Sequence, residues 1–379
     1  MTAVHDHLLK LVRIDSVSSI SNRGVIEYAA AALTLAGWST REFCYHDAAG
    51  VEKINLIAAP PHQDHADASV DLAFVCHTDT VPHSTAWTNA LSPSVKDGFL
   101  HGCGACDVKG FLACLLAAAS AVAPDGFVDG LRIVLTADEE IGCLGAKHLL
   151  AQNAIRPKRL VIGEPTSLRV ARAGKGYCLA EITVSGVEAH SALPAHGCSA
   201  IYAASRLIQG IERLAQKLET QTHDLFRPAF TTLNVGTITG GTAKNIIPGQ
   251  CSFLLEWRPN PGLPVEYVVD AMRSMIEQIH ASESRLNFKI DVLRQQAGFE
   301  TSEDAPLVVR LQNASGRQAT SIPFGSEASL FGPVAEQTVV FGPGDMASAH
   351  SDRECVSLAE LDEAVGILQT LMSRLIDVL

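Results

Sequence analysis

Two patterns of hydrophobic and polar positions divide the chain. In the first half, apolar residues at helical spacing over 22–36, followed by Gly37, and over 109–123 predict helices. Short apolar runs between and beyond them are typical of parallel strands buried on both faces, and they lie at 55–59, 72–76, 131–135 and 159–163. This part of the chain therefore predicts an α/β sheet.

From about residue 175 the pattern becomes alternating. Residues 177–185, YCLAEITVS, alternate as a half-buried antiparallel strand does. Six segments predict the order β-α-β-β-α-β of a ferredoxin-like motif. The strands are at 177–185, 231–239, 250–258 and 287–292, and the helices are at 199–218 and 265–281. We therefore predict that residues 175–293 form an α+β domain inserted into a discontinuous α/β domain of residues 1–174 and 294–379.

The last segment returns to the first domain. Its pattern predicts a helix at 306–314, a short strand at 338–341 and a terminal amphipathic helix. Ser357 and Glu360 have the spacing of a capping box at the start of that helix. Its apolar face carries Leu358, Leu361, Val365, Leu368, Leu371 and Leu375.

Composition narrows the possible functions. With 379 residues, 47% hydrophobic and 18% charged, the chain has the composition of an ordinary globular protein. Its net charge of −12 argues against nucleic acid or an anionic membrane as a partner. The longest apolar run, 111–123, is too short to span a bilayer, and charged residues occupy the N-terminal stretch where a signal peptide needs its apolar core. We expect a cytoplasmic protein with ten reduced cysteines.

Three carboxylates follow the strand at 131–135. Asp138, Glu139 and Glu140 would lie at the carboxyl edge of the sheet, where α/β proteins bind ligands. Adjacent like charges raise one another's pKa unless cations neutralise them, and a metal ion is the simplest such cation. On extended backbone, one glutamate could bind a metal while its neighbour faces a substrate. A solvated acidic turn is the alternative.

Other loops deliver similar side chains. Asp79 stands two residues after His77 and could hold the other nitrogen of its imidazole, although a histidine satisfied in a core or turn would also explain the pair. Cys103 and Cys106 have the spacing of a redox or zinc motif, but no second pair follows to complete a structural zinc site. The candidate ligands combine nitrogen and carboxylate donors, which suits a divalent ion such as zinc: His77, Asp107, Glu140, Glu164 and His350.

A family resemblance covers nearly the whole chain. Six motifs resemble, in the same order, those of the dinuclear zinc aminoacylase and carboxypeptidase superfamily: CHTDTVP, CDVKG, ADEEIG, GEPT, VEAHSALP and SAH. The resemblance implies a zinc-peptidase-like α/β catalytic domain whose inserted ferredoxin-like domain serves as lid and dimerisation domain. Traits similar to the acetylornithine deacetylase subfamily are GEPT, TTLNVGTITGG, GSEA and FGPG.

The resemblance also implies a metal centre and a base. Two divalent metal ions, zinc or alternatively cobalt, would be bridged by Asp107, with the remaining ligands His77 and Glu164 on one ion and Glu140 and His350 on the other. Asp79 would orient His77. Glu139 would take a proton from the attacking water and deliver it to the leaving amine.

Further residues would contact the substrate. His190, in the inserted domain, would stabilise the oxyanion after domain closure or across a dimer. Asn245 and Arg258 match substrate-contacting positions; the guanidinium of Arg258 could hold an α-carboxylate, although it could equally pair on the surface near Glu256. Glu327, at the mouth of the catalytic domain, would meet a cationic side chain. The chain departs from the family pattern at Cys103, Val108 and 256–258, which leaves every metal ligand in place.

The implied activity is removal of the acetyl group from N2-acetyl-L-ornithine, which gives L-ornithine and acetate for arginine synthesis. The alternatives within the superfamily are a succinyl-diaminopimelate desuccinylase, an N-acyl-citrulline deacetylase and a dipeptidase. A noncatalytic metal-binding protein on this fold is a further alternative, against which the presence of Glu139 argues.

Overall fold

The computed structural model describes residues 1–65 and 67–373. The chain divides into two compact units. The first unit consists of Met1–Ala173, Glu300–Ser321 and Ser326–Leu379, and the second of Gly174–Phe299 and Ile322–Gly325. The boundary that the pattern predicts at 293 falls inside a strand that continues to Gln296.

The elements are numbered in chain order. The helices are α1 (Ala3–Val12), α2 (Arg23–Leu35), α3 (Lys109–Ala121), α4 (Leu144–Ala151), α5 (Ala200–Glu219), α6 (Tyr267–Ser282), α7 (Pro306–Ser315), α8 (Ala328–Phe331) and α9 (Leu358–Met372). Short 3₁₀ turns lie at Pro124–Gly126, Pro194–His196 and Gly332–Val334. The strands are β1 (Ser39–His46), β2 (Glu52–Ala59), β3 (Ser69–His77), β4 (Ser94–Lys96), β5 (Phe99–His101), β6 (Leu131–Thr136), β7 (Arg156–Gly163), β8 (Ala171–Gly174), β9 (Tyr177–Ser185), β10 (Ala189–His190), β11 (Thr232–Gly240), β12 (Ile246–Ile247), β13 (Gln250–Arg258), β14 (Asn287–Gln296), β15 (Phe299–Glu300), β16 (Thr320–Ile322), β17 (Gln337–Phe341) and β18 (Cys355–Ser357).

The first unit is built on a mixed sheet in the order β1-β2-β6-β3-β7-β17-β8. The strands β6, β3, β7 and β17 run parallel, and antiparallel strands flank them. Because parallel strands end at one edge, the loops that follow them leave the sheet together, after Thr136, His77, Gly163 and Phe341. The predicted α/β class with buried parallel strands is confirmed.

Helix α3 forms the centre of the first unit's core. Every residue from Lys109 to Ala119 is buried, and α1 and α9 pack against the helix. The ring of Phe111 lies against the end of β7, where a Cβ on Gly163 would come within 2.0 Å of Phe111 Cδ1. A glycine is therefore required immediately before Glu164, because the helix and strand approach too closely for any side chain.

The second unit contains an antiparallel sheet in the order β11-β13-β9-β14. Buried residues alternate along β9, as the sequence pattern predicts, and pack with α5 and α6 in one hydrophobic core. The succession β9, α5, β11, β13, α6 and β14 matches the predicted β-α-β-β-α-β order.

The signals predicted at the ends of α2 and α9 can be compared with the structure. Gly37 has φ +82° after α2, as expected of a left-handed helix stop. At α9, the Ser357 hydroxyl accepts the Glu360 N–H (3.4 Å), but the Glu360 carboxylate accepts the Gly344 N–H (2.8 Å). The capping box is therefore only half formed, because a neighbouring loop claims the glutamate. The predicted apolar position Leu375 lies outside the described residues.

Two further features concern the described chain as a whole. Among residues 1–65 and 67–373, no helix has both the length and the apolar character needed to cross a bilayer. All ten cysteines carry free thiols.

Candidate metal centre

The carboxyl edge of the parallel strands assembles the candidate ligands. His77 is the last residue of β3 and pairs with Thr136, the last residue of β6. Val75 of β3 pairs with Ile162 of β7, so Glu164 leaves β7 at the level of His77. Asp107 and His350 come from loops that precede α3 and β18.

Asp107 lies at the centre of this group. Its Oδ1 is 3.1 Å from His77 Nε2, and its Oδ2 is 3.1 Å from His350 Nε2. His350 Nε2 is also 3.2 Å from Glu140 Oε1. Donor atoms of His77, Asp107 and Glu140 all lie within 4.8 Å of one another. A carboxylate with one oxygen toward each of two imidazoles has the arrangement needed to bridge two cations.

The electrostatics of the group show a strong demand for positive charge. Burial lowers the pKa of His77, but the carboxylates of Asp107 and Asp79 outweigh burial and hold that pKa well above its usual value. Hydrogen bonds to Asp107 and Glu140 raise the pKa of His350 to about 10. Burial and the charge of Asp107 hold the pKa of Glu164 well above its usual value. Divalent cations would satisfy the same demand, so the donor set fits two metal ions.

Asp79 contacts both His77 and the acidic turn. His77 Nδ1 lies 3.1 Å from the backbone carbonyl of Asp79 and 3.5 Å from its Oδ1. The Asp79 carboxylate also accepts hydrogen bonds from the Glu139 N–H (3.1 Å) and the Glu140 N–H (3.3 Å), and from the Ser18 hydroxyl (2.7 Å). Asp79 therefore fixes the acidic turn as well as the imidazole.

Glu139 is buried beside the ligands. Burial raises its pKa to about 7, and the charge of Glu140 adds to this effect. The Cys143 thiol donates a hydrogen bond to Glu139 Oε1 (3.3 Å). A buried carboxylate with a pKa near neutrality can both accept and release a proton, which suits general acid–base chemistry.

Asp138, the third acid of the turn, is neutralised by a lysine. Lys53, 1% exposed, donates from Nζ to Asp138 Oδ1 (2.8 Å), and the Tyr45 hydroxyl donates to Oδ2 (2.8 Å). Asp138 also has φ +57°, so the three acids lie on a turn, and the prediction of extended backbone at this point is wrong. The only sequence signal for the pairing is a lysine beside the apolar run of β2.

Two of the predicted substrate residues are brought together in the second unit. His190 pairs with Ile246 across β10 and β12, and the Ser191 N–H donates to the Asn245 carbonyl (3.0 Å). His190 is exposed, and its Nδ1 accepts the Ala192 N–H (3.1 Å). An imidazole that accepts at Nδ1 carries its proton on Nε2, so the outer nitrogen of His190 is a hydrogen-bond donor.

Arg258 ends β13 on the sheet face away from the helices. Its Nε donates to Glu256 Oε1 (2.9 Å), the surface pairing that the sequence left open. Its guanidinium lies 4.8 Å from the ring centroid of Tyr177, a cation–π contact. With 34% of its side chain exposed, Arg258 remains accessible to a ligand.

Glu327 differs from its predicted position at a mouth. It belongs to the first unit and is 1% exposed. Burial and the charge of Glu139 raise its pKa to about 8, and neither carboxylate oxygen has a hydrogen-bond partner among the described residues. A carboxylate buried in this way is stabilised by a cation or a hydrogen-bond donor.

A sheet edge with a nitrogen and carboxylate cluster, beside a free acid of near-neutral pKa, defines a metal-dependent hydrolase. The chain belongs to peptidase family M20/M25/M40, whose model matches residues 73–374. It is 42% identical over 369 residues to the acetylornithine deacetylase of Myxococcus xanthus, covering 97% of this chain and 96% of the relative. It is 30% identical to the acetylornithine deacetylase of Aliivibrio fischeri, covering 97% of each.

Solved structures share the fold. Aminopeptidase PepT from Bacillus cereus has a TM-score of 0.75 at 21% identity, covering 98% of this chain and 97% of that one. A dinuclear metal-binding peptidase of the M20 family from Bacillus subtilis has a TM-score of 0.69 at 15% identity, covering 97% of this chain and 96% of that one. At these identities the likeness establishes the architecture alone.

Proposed function

We propose that this protein hydrolyses N2-acetyl-L-ornithine to L-ornithine and acetate, as a step of arginine synthesis. The names of the relatives support the substrate, and the two-sided contact of Asp107 with His77 and His350 is the observation that carries the chemistry. The proposal includes two zinc ions, with cobalt as the alternative metal, and a cytoplasmic location.

Asp107 would bridge the metal ions, His77 and Glu164 would complete one site, and Glu140 and His350 the other. The contacts of Asp107 with His77 and His350, the contact of His350 with Glu140 and the shared sheet edge support this assignment. When bound, the ions supply Lewis-acid activation of the acyl carbonyl and of water. The backbone carbonyl of Asp79 would hold His77 and its carboxylate would hold the acidic turn, so Asp79 would fix their relative positions.

Glu139 would act as the general base and then as the general acid. Its burial and its near-neutral pKa support both roles. It would accept a proton from the attacking water at a carboxylate oxygen and later release that proton to the departing amine. His190 would donate its Nε2–H to the oxyanion that develops on the acyl carbon, a role that the hydrogen bond at Nδ1 supports.

Arg258 would bind the α-carboxylate of the substrate, and Asn245, which lies beside His190, would be a separate polar contact. Because a guanidinium offers paired donors and an ammonium does not, Arg258→Lys is expected to raise KM for N2-acetylornithine by about 10- to 100-fold with a smaller change in kcat. Steady-state kinetics would measure both constants. N-acetylputrescine, which lacks the α-carboxylate, is the matched control, and an equal loss on both substrates would contradict this role.

Glu327 would pair with the terminal ammonium of ornithine. A buried carboxylate without a hydrogen-bond partner supports this, because an incoming ammonium would satisfy both charges. The raised pKa has the same origin as the proposed affinity, since both reflect the lack of a cation.

A substrate panel tests the proposed function. We expect kcat/KM for N2-acetylornithine to exceed that for N2-acetylnorvaline, which has the same carbon chain without the amine, by at least about 10-fold. Glu327→Gln should reduce this ratio while leaving the rate on N2-acetylnorvaline in place. A preference for succinyl-diaminopimelate, an N-acyl-citrulline or a dipeptide would overturn the proposed substrate, and no hydrolysis of any of them would overturn the activity.

The second unit would form a homodimer. Strand β11 lies at one edge of its sheet, and large apolar side chains stand exposed on β11 and on the adjacent α5, with Ile238 55% and Tyr202 74% exposed. An open strand edge with apolar neighbours is a surface that a second copy can cover.

A further inference from the structure

A buried glutamate outside the predicted ligand set holds the loop that carries Asp107. Glu354 precedes β18 and is 2% exposed. Its Oε1 accepts the N–H groups of Cys106 (2.9 Å) and Asp107 (3.0 Å), and its Oε2 accepts the N–H of Gly104 (3.0 Å). Three backbone donors thus converge on one carboxylate, and they offset part of the cost of burying it.

The backbone of the same residue adds a fourth bond. The Gly102 N–H donates to the Glu354 carbonyl (3.2 Å). Residues 102–107 are therefore tied at four points to Glu354, and the last of these points is the amide of Asp107 itself. Gly104 has φ +74°, a left-handed conformation that glycine adopts readily.

Glu354 also belongs to the segment that carries His350. Its own N–H donates to the Ser351 carbonyl (3.1 Å), which closes the turn after His350. His350 in turn lies 3.1 Å from Asp107 Oδ2. One residue thus connects two ligand loops that are far apart in sequence.

We propose that Glu354 is a positioning residue that sets Asp107 against His350 and so determines the affinity of the centre for its metal ions; this rests on the proposed two-metal site. Outer partners that orient ligands commonly change metal affinity by about 10- to 100-fold when they are replaced. A carboxylate is required at this position because both of its oxygens can accept hydrogen bonds. A glutamine would turn its NH₂ group against either Gly104 or the pair Cys106 and Asp107.

The test measures metal binding by the full-length protein, with zinc and cobalt as probes. Glu354→Gln is expected to weaken the binding of both metals by about 10- to 100-fold. Competition with a chromophoric chelator would measure these affinities. The visible spectrum of the cobalt form should change, because the angle between Asp107 and His350 changes. The melting temperature of the chelated variant separates this effect from a general loss of folding, which would lower that temperature and leave the affinity of the folded protein unaltered.

Glu360→Gln is the matched control. It makes the same carboxylate-to-amide change in the first unit and alters one backbone hydrogen bond, to Gly344, without touching residues 102–107. We expect it to bind both metals as the wild type does. Wild-type metal affinity in Glu354→Gln would overturn the inference. If that variant does not fold, Glu354→Asp, which keeps the charge but has a shorter reach, should show the weakened affinity, and wild-type affinity there would overturn it equally.

The inference and the proposed function fail separately. A wild-type protein that binds no zinc or cobalt, or binds them without hydrolysing any substrate of the panel, would count against the proposed function. A wild-type protein that binds metal and hydrolyses substrate, beside a Glu354→Gln variant of equal affinity, would count against Glu354 alone.

Discussion

Replacement of Glu139 by glutamine is expected to lower kcat for N2-acetylornithine by about 100- to 10,000-fold while the metal content stays the same. Glutamine has nearly the shape of glutamate, but it can neither accept a proton from water nor return one to the amine. Burial holds the pKa of Glu139 at about 7, which places its proton exchange within the working range of an enzyme. The measurement is single-turnover kinetics beside metal analysis of the same sample.

Glu140→Gln is the informative contrast, because its oxygen lies 3.2 Å from His350 Nε2 and within the ligand cluster. We expect this variant to lose metal affinity as well as activity, and to regain part of the activity when metal is added in excess. If Glu139→Gln also lost its metal, or retained the wild-type rate, Glu139 would not be the base. The two neighbouring glutamates should thus separate into a proton carrier and a ligand.

Removal of metal by a chelator is expected to lower the melting temperature, and to lower it more at about pH 8 than at about pH 5.5. In the metal-free protein, the folded-state pKa is raised at His77, at His350 to about 10, at Glu139 to about 7 and at Glu327 to about 8. Each group binds more protons folded than unfolded, so its stabilising contribution is present below the unfolded pKa and is lost as pH rises through the folded one.

Asp107 does not alter this sign, because its pKa is lowered: its contribution is present above the unfolded value and is lost only in acid below the chosen range. Metal ions would replace the bound protons, so the stabilisation they confer should grow with pH. Differential scanning fluorimetry of metal-loaded and chelated protein at constant ionic strength would measure it. An equal difference in melting temperature at both pH values would show that these groups do not face the metals.

Local pattern was enough to predict most elements and to bring the ligands to one edge. The buried runs of β3, β6 and β7 mark strands whose ends must coincide in a parallel sheet, so the carboxyl-edge argument needed no three-dimensional information. Helix α1 and strand β1 are not among the predicted elements. The charged residues of the N-terminal stretch argue against a signal peptide, but Val4, Leu8 and Leu11 form the buried face of a helix there.

The supporting contacts could not be predicted, because they join residues that the sequence separates widely. Lys53 and Asp138 are 85 residues apart, Tyr45 and Asp138 are 93 apart, and Cys106 and Glu354 are 248 apart. From the sequence alone, a buried lysine or glutamate cannot be distinguished from an exposed one, because its partner is known only from the fold. The sequence predicts Glu327 at a mouth for the same reason, whereas the structure buries it.

The sequence by itself therefore determined the α/β class, the order of the elements and the residue types of the metal centre, because these depend on periodicity along the strand or helix and on short motifs. Only the tertiary structure decided which partner each buried charge has. Lys53 pairs with Asp138, the Asp79 carboxylate accepts hydrogen bonds from the amides of the acidic turn, and the Glu354 carboxylate accepts them from the amides of the Asp107 loop. Electrostatic pairing acts through space at a few ångströms, and the chain carries no local record of which distant partner folding will bring there.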